Sequence, residues 1–163
     1  MTRTALGKSA SANPPVEQQP ELGQLGSSLG FLLRMSQVEV FDMFFDALGG
    51  LGLKPGQFSI LWVVHLNPGV RQGTVADTLK IKPAHMTKMI RTYEETGLIE
   101  RNIPAQDRRG IELRLTDAGD AFVAEHAENF FSYFRNDAHG LSEKETDQLV
   151  VLLKKFIRSG AKQ

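Results

Sequence analysis

The chain has 163 residues, of which 41% are hydrophobic and 23% are charged, a composition that suits one globular domain. Its 19 basic and 19 acidic residues balance, so any electropositive surface must arise from local segregation of charge. The chain has no cysteine, which excludes a disulfide scaffold, a cysteine-ligated zinc or iron–sulfur site and a thiol nucleophile.

The N-terminal segment, residues 1–20, is rich in serine, alanine, proline and glutamine and has almost no large apolar side chains. Such a composition cannot repay the entropy of ordering, so we expect a flexible tail before a single domain over residues 21–163. No run approaches the roughly 18 apolar residues of a membrane span, and no apolar signal-peptide core follows the first basic residues. The sequence therefore predicts a cytoplasmic protein without a membrane partner.

The first predicted helix covers residues 22–48. Two apolar stripes follow its helical repeat, and the second consists of Phe31, Met35, Val38, Phe41 and Phe45. A helix with so little polar circumference needs apolar partners on two sides, and dimerisation is one explanation. Glycines at 49, 50 and 52 end the pattern, and Pro55 can open a second helix that carries Phe58, Leu61, Trp62 and Leu66.

A third predicted helix, residues 72–79, precedes a fourth helix whose two ends are both marked. Pro83 stands where a first helical residue is expected, and Gly97 stands where a left-handed C-terminal cap is expected. Between them, the predicted buried stripe is Met86, Met89, Ile90 and Tyr93. A second face has the small, hydrogen-bonding and cationic groups of a DNA-reading surface, namely Ala84, Thr87, Lys88 and Arg91. An ordinary solvated helix face is the alternative interpretation.

Two short runs of branched apolar residues, 98–103 and 111–115, predict a two-stranded hairpin. Its loop, residues 104–110, carries Arg108 and Arg109 at an exposed tip. Helices, a tight turn and a basic hairpin in this order predict a winged helix-turn-helix in a mainly α-helical protein. The charge distribution agrees, because residues 71–114 hold nine basic and six acidic side chains.

Residues 115–119 lead into a fifth predicted helix, which Gly140 is expected to stop. Ser142 and Glu145 then have the spacing of a capping box at the start of the last helix. The apolar stripe that this helix is predicted to bury consists of Leu149, Leu152, Leu153, Phe156 and Ile157.

A specific order of residues runs through the hairpin region: the segment Gly97–Arg101, the triplet Asp107–Arg109, and then Leu115, Thr116 and Gly119. Together with the helical segments on either side, it resembles the MarR family of bacterial transcription regulators over residues 22–158. The departures from the family pattern are Lys82 in place of a capping serine, Gly73 early in the first helix of the motif, and Tyr93 in place of leucine.

The resemblance implies a homodimer, in which dimerisation helices from residues 22–54 and 120–163 accompany a winged helix-turn-helix over residues 55–119. Such a dimer places two recognition helices in successive major grooves of a pseudo-palindromic operator. Family members usually repress genes and release DNA when a small molecule, often a phenolic or aromatic acid, binds. For this chain we expect a small aromatic or phenolic effector, either the free acid or its acyl-CoA conjugate. The residues implied at the DNA are Lys82, Ala84, His85, Thr87, Lys88, Arg91, Asp107, Arg108 and Arg109.

The family places its effector site where the first two helices meet the helix after the wing. This location implies contacts from Arg34, Met35, Phe41, Phe58, Trp62 and His65. The alternatives are core packing for Phe58 and Trp62, a satisfied core or surface histidine for His65, and a surface ion pair for Arg34. No cofactor and no metal ion are expected.

An enzyme is not expected, because the four histidines lie on different predicted elements and the sequence has no HxxxH pair, GxSxG elbow, Walker loop or GxGxxG turn. A winged helix that binds protein and not DNA is the alternative function, and the neutral net charge favours it. Against it stand four cations on the surfaces that would face phosphates, namely Lys88, Arg91, Arg108 and Arg109.

Overall fold

A computed structural model of the chain describes residues 20–52, 54–103, 110–133 and 140–160. In these segments the helices and strands are α1 (Leu29–Leu48), α2 (Gln57–Leu66), β1 (Val70–Arg71), α3 (Gln72–Thr78), α4 (Pro83–Glu95), β2 (Ile99–Asn102), β3 (Glu112–Leu115), α5 (Asp117–Ser132) and α6 (Glu143–Gly160). None of the helices in these segments is long and apolar enough to cross a membrane. The chain divides into two compact units, Met1–Met35 and Ser36–Gln163, and the division falls within α1.

In the first unit, the helix predicted from residue 22 is interrupted. Gly23–Ser27 forms a short 3-10 helix, and Ser28 takes an extended backbone before α1 begins. Gly23 has a positive φ of 49°, and Gly26 and Gly30 lower the helix propensity of the segment. The prediction of one continuous helix is therefore wrong at its N-terminal end. The predicted flexible tail, except for its last residue, lies outside the described residues.

The core of the second unit is built around α2, which is buried on most of its circumference. Phe58, Ile60 and Leu61 each have 1% or less of their surface exposed. The remaining buried members come from α2 itself, α3, α4, the wing strands and α5, and they are Val64, Val75, Ala76, Met86, Met89, Ile90, Tyr93, Ile99, Leu113 and Val123. The predicted buried stripe of the fourth helix is thus confirmed.

The start of α2 differs from the prediction. Pro55 lies in a turn, and the helix begins two residues later, at Gln57. Gly56 has a φ of 84°, a left-handed backbone that interrupts helical geometry and that glycine adopts without steric cost. The Gln57 side-chain oxygen accepts a hydrogen bond from the Lys54 backbone N–H at 2.7 Å and closes the turn.

The predicted two-stranded wing is confirmed. Strands β2 and β3 pair antiparallel, with Ile99 opposite Leu115 and Arg101 opposite Leu113. A third strand, β1, joins the other edge of β3 and places Val70 opposite Leu113. The sequence did not predict β1, because two residues are too few for the alternation that indicates a strand.

A close approach of two backbone segments joins the wing to α5. The Thr116 side chain accepts a hydrogen bond from the Gly119 N–H at 3.0 Å, which caps α5, and it donates to the Gly97 carbonyl. The Leu98 carbonyl accepts from the Thr116 N–H at 3.1 Å. The same carbonyl oxygen lies so near Gly119 that a Cβ atom there would overlap it. We call Gly97, Leu98, Thr116 and Gly119 the wing-base junction.

An aromatic cluster ties the C-terminal half of α1 to α2 and α5. Phe44 is 1% exposed and meets Phe130 and Tyr133 edge-on, with ring centroids 6.4 and 5.9 Å away. Phe58 stacks on Phe130 with the centroids 4.4 Å apart. Burial in this cluster raises the pKa of Tyr133 above its ordinary value. Edge-to-face and stacked pairs are favourable beyond the area that they bury, so these rings fasten the three helices together.

The last helix begins with the predicted capping box. The Ser142 N–H donates to the Glu145 carboxylate at 2.9 Å, and the Ser142 hydroxyl oxygen accepts from the Glu145 N–H at 3.4 Å. The Ser142 hydroxyl also donates to the Glu145 carboxylate at 2.6 Å, and this bond together with the one from the Ser142 N–H holds the pKa of Glu145 below its usual value. The apolar stripe of α6 is not buried as predicted, since four members expose 36–68% of their surface and Leu153 is half-buried. No described element of the chain covers this stripe, which explains the difference.

The wing-base junction yields a stability prediction. The substitution Gly119→Ala should lower the free energy of unfolding by about 1–3 kcal/mol, the usual cost of overpacking, because the new methyl group meets a backbone carbonyl that hydrogen bonds hold in place. Chemical denaturation measures the loss. Gly73→Ala is the matched control, since it also adds a methyl group to a helix but meets no atom within 4 Å. Equal effects of the two substitutions would contradict the close approach.

Candidate nucleic-acid interface and effector cavity

Helix α4 has one buried side and one exposed side. Pro83 is its first residue, and Gly97 follows its end with a φ of 71°, so both predicted boundary residues are confirmed. Lys82 caps the helix only through its backbone, because its carbonyl accepts from the Met86 N–H while its side chain makes no capping hydrogen bond. We call six exposed residues on α4 and at its N-cap the α4 polar face, namely Lys82, Ala84, His85, Thr87, Lys88 and Arg91.

The cations of the α4 polar face differ in their partners. The Arg91 Nε donates to the Glu95 carboxylate at 2.9 Å in an exposed pair one helical turn apart. Lys82 and Lys88 have no ion-pair partner among the described residues. The positive charge of Arg91 is therefore partly compensated, whereas the two ammonium groups are not. Three residues of the predicted DNA-binding set lie outside the described residues, namely Asp107, Arg108 and Arg109.

Two contacts fix α4 relative to the wing and to α2. The Glu94 carboxylate on α4 forms a half-buried ion pair with Arg101 of β2. The Tyr93 hydroxyl donates to the Gln57 carbonyl at 2.9 Å, and burial raises the pKa of Tyr93 well above its ordinary value. Leucine, the usual residue at this position in the family pattern, could not make that bond. The departure at Tyr93 thus adds a polar link between α4 and the start of α2.

Gln72 lies against the α4 polar face, although no sequence pattern predicts this position. Its side-chain amide donates to the Thr87 hydroxyl at 3.2 Å, and that hydroxyl donates to the Pro83 carbonyl at 3.0 Å. The Gln72 backbone N–H donates to the Ile111 carbonyl at 2.8 Å. Gln72 directly follows β1, so only the sheet that the sequence did not reveal brings it to this position.

A cavity of about 560 Å³ lies between the end of α1, the start of α2 and α4. Its wall combines aromatic rings, a thioether, two ammonium groups and an imidazole, contributed with their neighbours by Phe41, Phe45, Lys54, Pro55, Gln57, His85, Lys88, Met89 and Thr92. His85 and Lys88 belong both to this wall and to the α4 polar face. One helix therefore contributes both to a half-open, mainly apolar cavity and to an exposed cationic surface.

Comparison with known proteins agrees with this arrangement. The profile of the MarR family matches residues 53–111. A protein of Thauera aromatica described as a transcriptional regulatory protein for the hcr operon is 30% identical over 137 residues, which are 83% of this chain and 82% of the relative. The chain belongs to the MarR family of transcriptional regulators.

Solved structures share the fold of this MarR-family chain. The transcriptional repressor CouR bound to a 23-mer DNA duplex has a TM-score of 0.79 and 30% identity, and the match covers 86% of this chain and 99% of that chain. CouR bound to p-coumaroyl-CoA has a TM-score of 0.76 and 28% identity, with the same coverage of 86% and 99%. The mainly α-helical winged helix-turn-helix predicted from the sequence is thereby confirmed.

Four of the predicted effector contacts lie in the second unit of this MarR-family chain, and they fall in three places. Phe41 lines the cavity. Phe58 is 1% exposed and packs in the core, because α2 is covered on most sides. Trp62 lies 4.7 Å from Phe131 and 5.7 Å from His65, measured between ring centroids, on the side of α2 that faces α5. These four residues therefore do not share one pocket wall.

Three members of the predicted effector set have polar or flexible side chains, namely His65, Arg34 and Met35. The His65 Nδ1–H donates to the Asp120 carboxylate at 2.8 Å, and this contact joins α2 to the first turn of α5. This pair matches the alternative of a satisfied surface histidine. Arg34 and Met35 are exposed residues of α1 in the first unit. Effector binding by these residues stays a prediction.

Proposed function

We propose that this chain is a ligand-responsive repressor, which binds a pseudo-palindromic operator as a homodimer and releases it when a small aromatic acid or its acyl-CoA conjugate binds. The observation that carries the proposal is the α4 polar face, since one side of the helix is locked in the core while the other presents cations and small side chains. Cations position a protein on phosphates, and small or hydrogen-bonding side chains reach base edges. The resemblance to CouR, solved both with DNA and with an acyl-CoA, supports this function.

On this proposal, α4 enters the major groove. Lys82, His85, Lys88 and Arg91 supply cationic and donor groups, while Ala84 is small enough to let the helix approach the bases. The tip of the wing reaches the adjacent minor groove, as the family resemblance implies. There the resemblance gives Asp107 the role of orienting Arg108, which reads groove shape and charge beside Arg109.

The effector site is proposed to be the cavity behind the α4 polar face. Phe41, Phe45 and Met89 suit an aromatic ring, and the ammonium groups of Lys54 and Lys88 suit a carboxylate. The volume of about 560 Å³ lies in the range of roughly 300–1,000 Å³ typical of small-molecule sites. It accommodates an aromatic acyl group and leaves the bulk of a coenzyme A moiety outside.

The cavity also offers a route from effector to DNA. The carboxylate of a free aromatic acid in the cavity attracts the Lys88 ammonium, and that ammonium then leaves the surface that faces the phosphates and bases. An acyl-CoA has no such carboxylate, and the phosphate groups of its coenzyme A moiety supply the anion instead. Effector and operator compete for the same cation on this scheme. Such competition lowers the affinity for each ligand when the other is bound, which is the reciprocity that linkage requires.

The homodimer is proposed from the exposed apolar stripe of α6. Large apolar side chains gathered on one side of a surface helix are typical of an interface. A second copy of the chain covers such a stripe symmetrically, because a twofold interface uses the same patch on both subunits. A twofold dimer also matches a pseudo-palindromic operator, whose half-sites are about 34–36 Å apart.

DNA recognition is tested with Lys88→Ala and Arg91→Ala on duplexes that the wild-type chain selects from a random pool. Lys88→Ala should reduce the difference in binding free energy between the selected and the scrambled duplex by about 1–3 kcal/mol, the value of a lost base contact. Arg91→Ala should cost less, because Glu95 already compensates its charge. Lys144→Ala, on α6, is the control and should change neither affinity. Failure of the wild type to retain any duplex at low salt would favour the protein-binding alternative.

The location of the effector site is tested with Phe41→Ala and Trp62→Ala, which each remove one aromatic side chain outside the α4 polar face. A panel of aromatic acids and their acyl-CoA conjugates is titrated against the protein–DNA complex. Phe41→Ala should raise the ligand concentration needed for release about ten- to hundredfold, as expected for a lost buried aromatic contact, and leave DNA affinity unchanged. If only Trp62→Ala changes the response, the site lies between α2 and α5 instead.

The dimer is tested by sedimentation velocity. The wild type should have twice the mass of the chain, and Leu152→Asp should dissociate it, because an aspartate in an apolar interface leaves an unpaired buried charge. Lys154→Asp introduces the same residue on another side of α6 and should leave the dimer intact. A monomeric wild type, or equal dissociation by both variants, would exclude the α6 interface.

A further inference from the structure

The Thr87 side chain has already used its hydrogen-bond donor. Its hydroxyl donates its one hydrogen to the Pro83 carbonyl at 3.0 Å, and its oxygen accepts from the Gln72 amide at 3.2 Å. The residue as a whole is exposed on α4. The hydroxyl is therefore hydrogen-bonded to protein partners, whereas the methyl group makes no hydrogen bond.

Gln72 is in a position to hold that rotamer. Its backbone N–H is bound to the Ile111 carbonyl at the entry to β3, so the residue is anchored to the sheet and not to α4. Its side-chain oxygen is buried and has no hydrogen-bond partner among the described residues. A buried acceptor without a partner costs free energy. In this position Gln72 leaves its side-chain oxygen without a partner, but its side-chain amide keeps the hydrogen bond to Thr87.

We infer that Thr87 reads the 5-methyl group of a thymine through apolar contact, and that Gln72 is the positioning residue that keeps the Thr87 methyl group outward. The inference rests on the proposed function, because it requires α4 in the major groove. Among the four bases, only thymine presents a methyl group there. Ala84 lies one turn earlier on the same face and adds a second methyl group without obstructing close approach.

The chemistry of this contact differs from that of the neighbouring cations. Lys82 and Lys88 attract phosphates or acceptor atoms of purines, and these interactions weaken as salt is added. A contact between two methyl groups carries no charge, so its contribution to discrimination is independent of salt. Replacing a single thymine by deoxyuridine removes only the 5-methyl group and leaves every hydrogen-bonding atom in place.

The experiment uses a duplex that the wild-type chain selects from a random pool, with each thymine replaced in turn by deoxyuridine. At one position in each half-site, wild-type affinity should fall about fourfold, the value for losing one buried methyl-sized group, at both low and high salt. The measured quantity is the ratio of affinity for the thymine duplex to affinity for the deoxyuridine duplex. Thr87→Val keeps a methyl group and should retain this thymine-to-uridine ratio. Thr87→Ser keeps the hydroxyl, loses the methyl group and should bring the ratio close to one.

Gln72→Met tests the positioning role, because methionine has a similar length but cannot donate a hydrogen bond. The thymine-to-uridine ratio should fall toward one, while affinity for scrambled DNA and its salt dependence stay as in the wild type. Thermal stability should be equal or higher, since the unpaired buried oxygen is gone, and this outcome separates positioning from a structural role. The Lys80→Met variant, on the exposed turn after α3, is a control that should leave the ratio unchanged.

Different failures are distinguishable. If the wild type selects no sequence, the proposed function fails and the inference fails with it. If the wild type selects a sequence but no deoxyuridine substitution matters, or if Thr87→Ser keeps the ratio and Thr87→Val loses it, Thr87 reads through its hydroxyl or not at all. If Gln72→Met keeps the wild-type ratio, Gln72 has no positioning role.

Discussion

The architecture depends on the close approach of Leu98 and Gly119 at the wing-base junction. One backbone carbonyl there accepts a hydrogen bond from Thr116 and occupies the space that any side chain at position 119 would need. Because this point ends the turn after α4, begins β2 and begins α5, it fixes three elements relative to one another. Helix α4, the wing and α5 therefore cannot move independently near this point. A rigid relation of this kind is what a DNA reader needs, since groove spacing allows little freedom.

Helix α4 has three sides with different surroundings. One side is locked into the core by Met86, Ile90 and Tyr93, another faces solvent, and a third lines the cavity. His85 and Lys88 belong to both the cavity wall and the exposed surface, so a molecule bound in the cavity would contact α4 without unfolding the core. On the proposed function, regulation by ligand would require only a shift between two populations of a few side chains and of the helix that carries them.

The sequence predicted correctly those helix ends that are set by residues within one turn. Pro83 and Gly97 bracket α4 in the sequence, and they do so in the structure because a proline at the first helical residue and a glycine in a left-handed cap act within one turn. The Ser142–Glu145 capping box formed for the same reason. The predicted N-terminal helix failed at its start, where glycines at 23, 26 and 30 outweighed the apolar spacing.

The sequence by itself determined the family, through the residue order that resembles it. It also determined the buried stripe of α4 and the two wing strands, because helical and strand periodicity show which side of an element is apolar. Only the tertiary structure decided which distant segments meet. It paired β1 with β3, brought Gln72 to Thr87 fifteen residues away, put Phe58 in the core, and joined residues from position 41 to position 92 into one cavity. Periodicity along one element does not specify the partner that covers it, since that choice depends on packing among all elements at once.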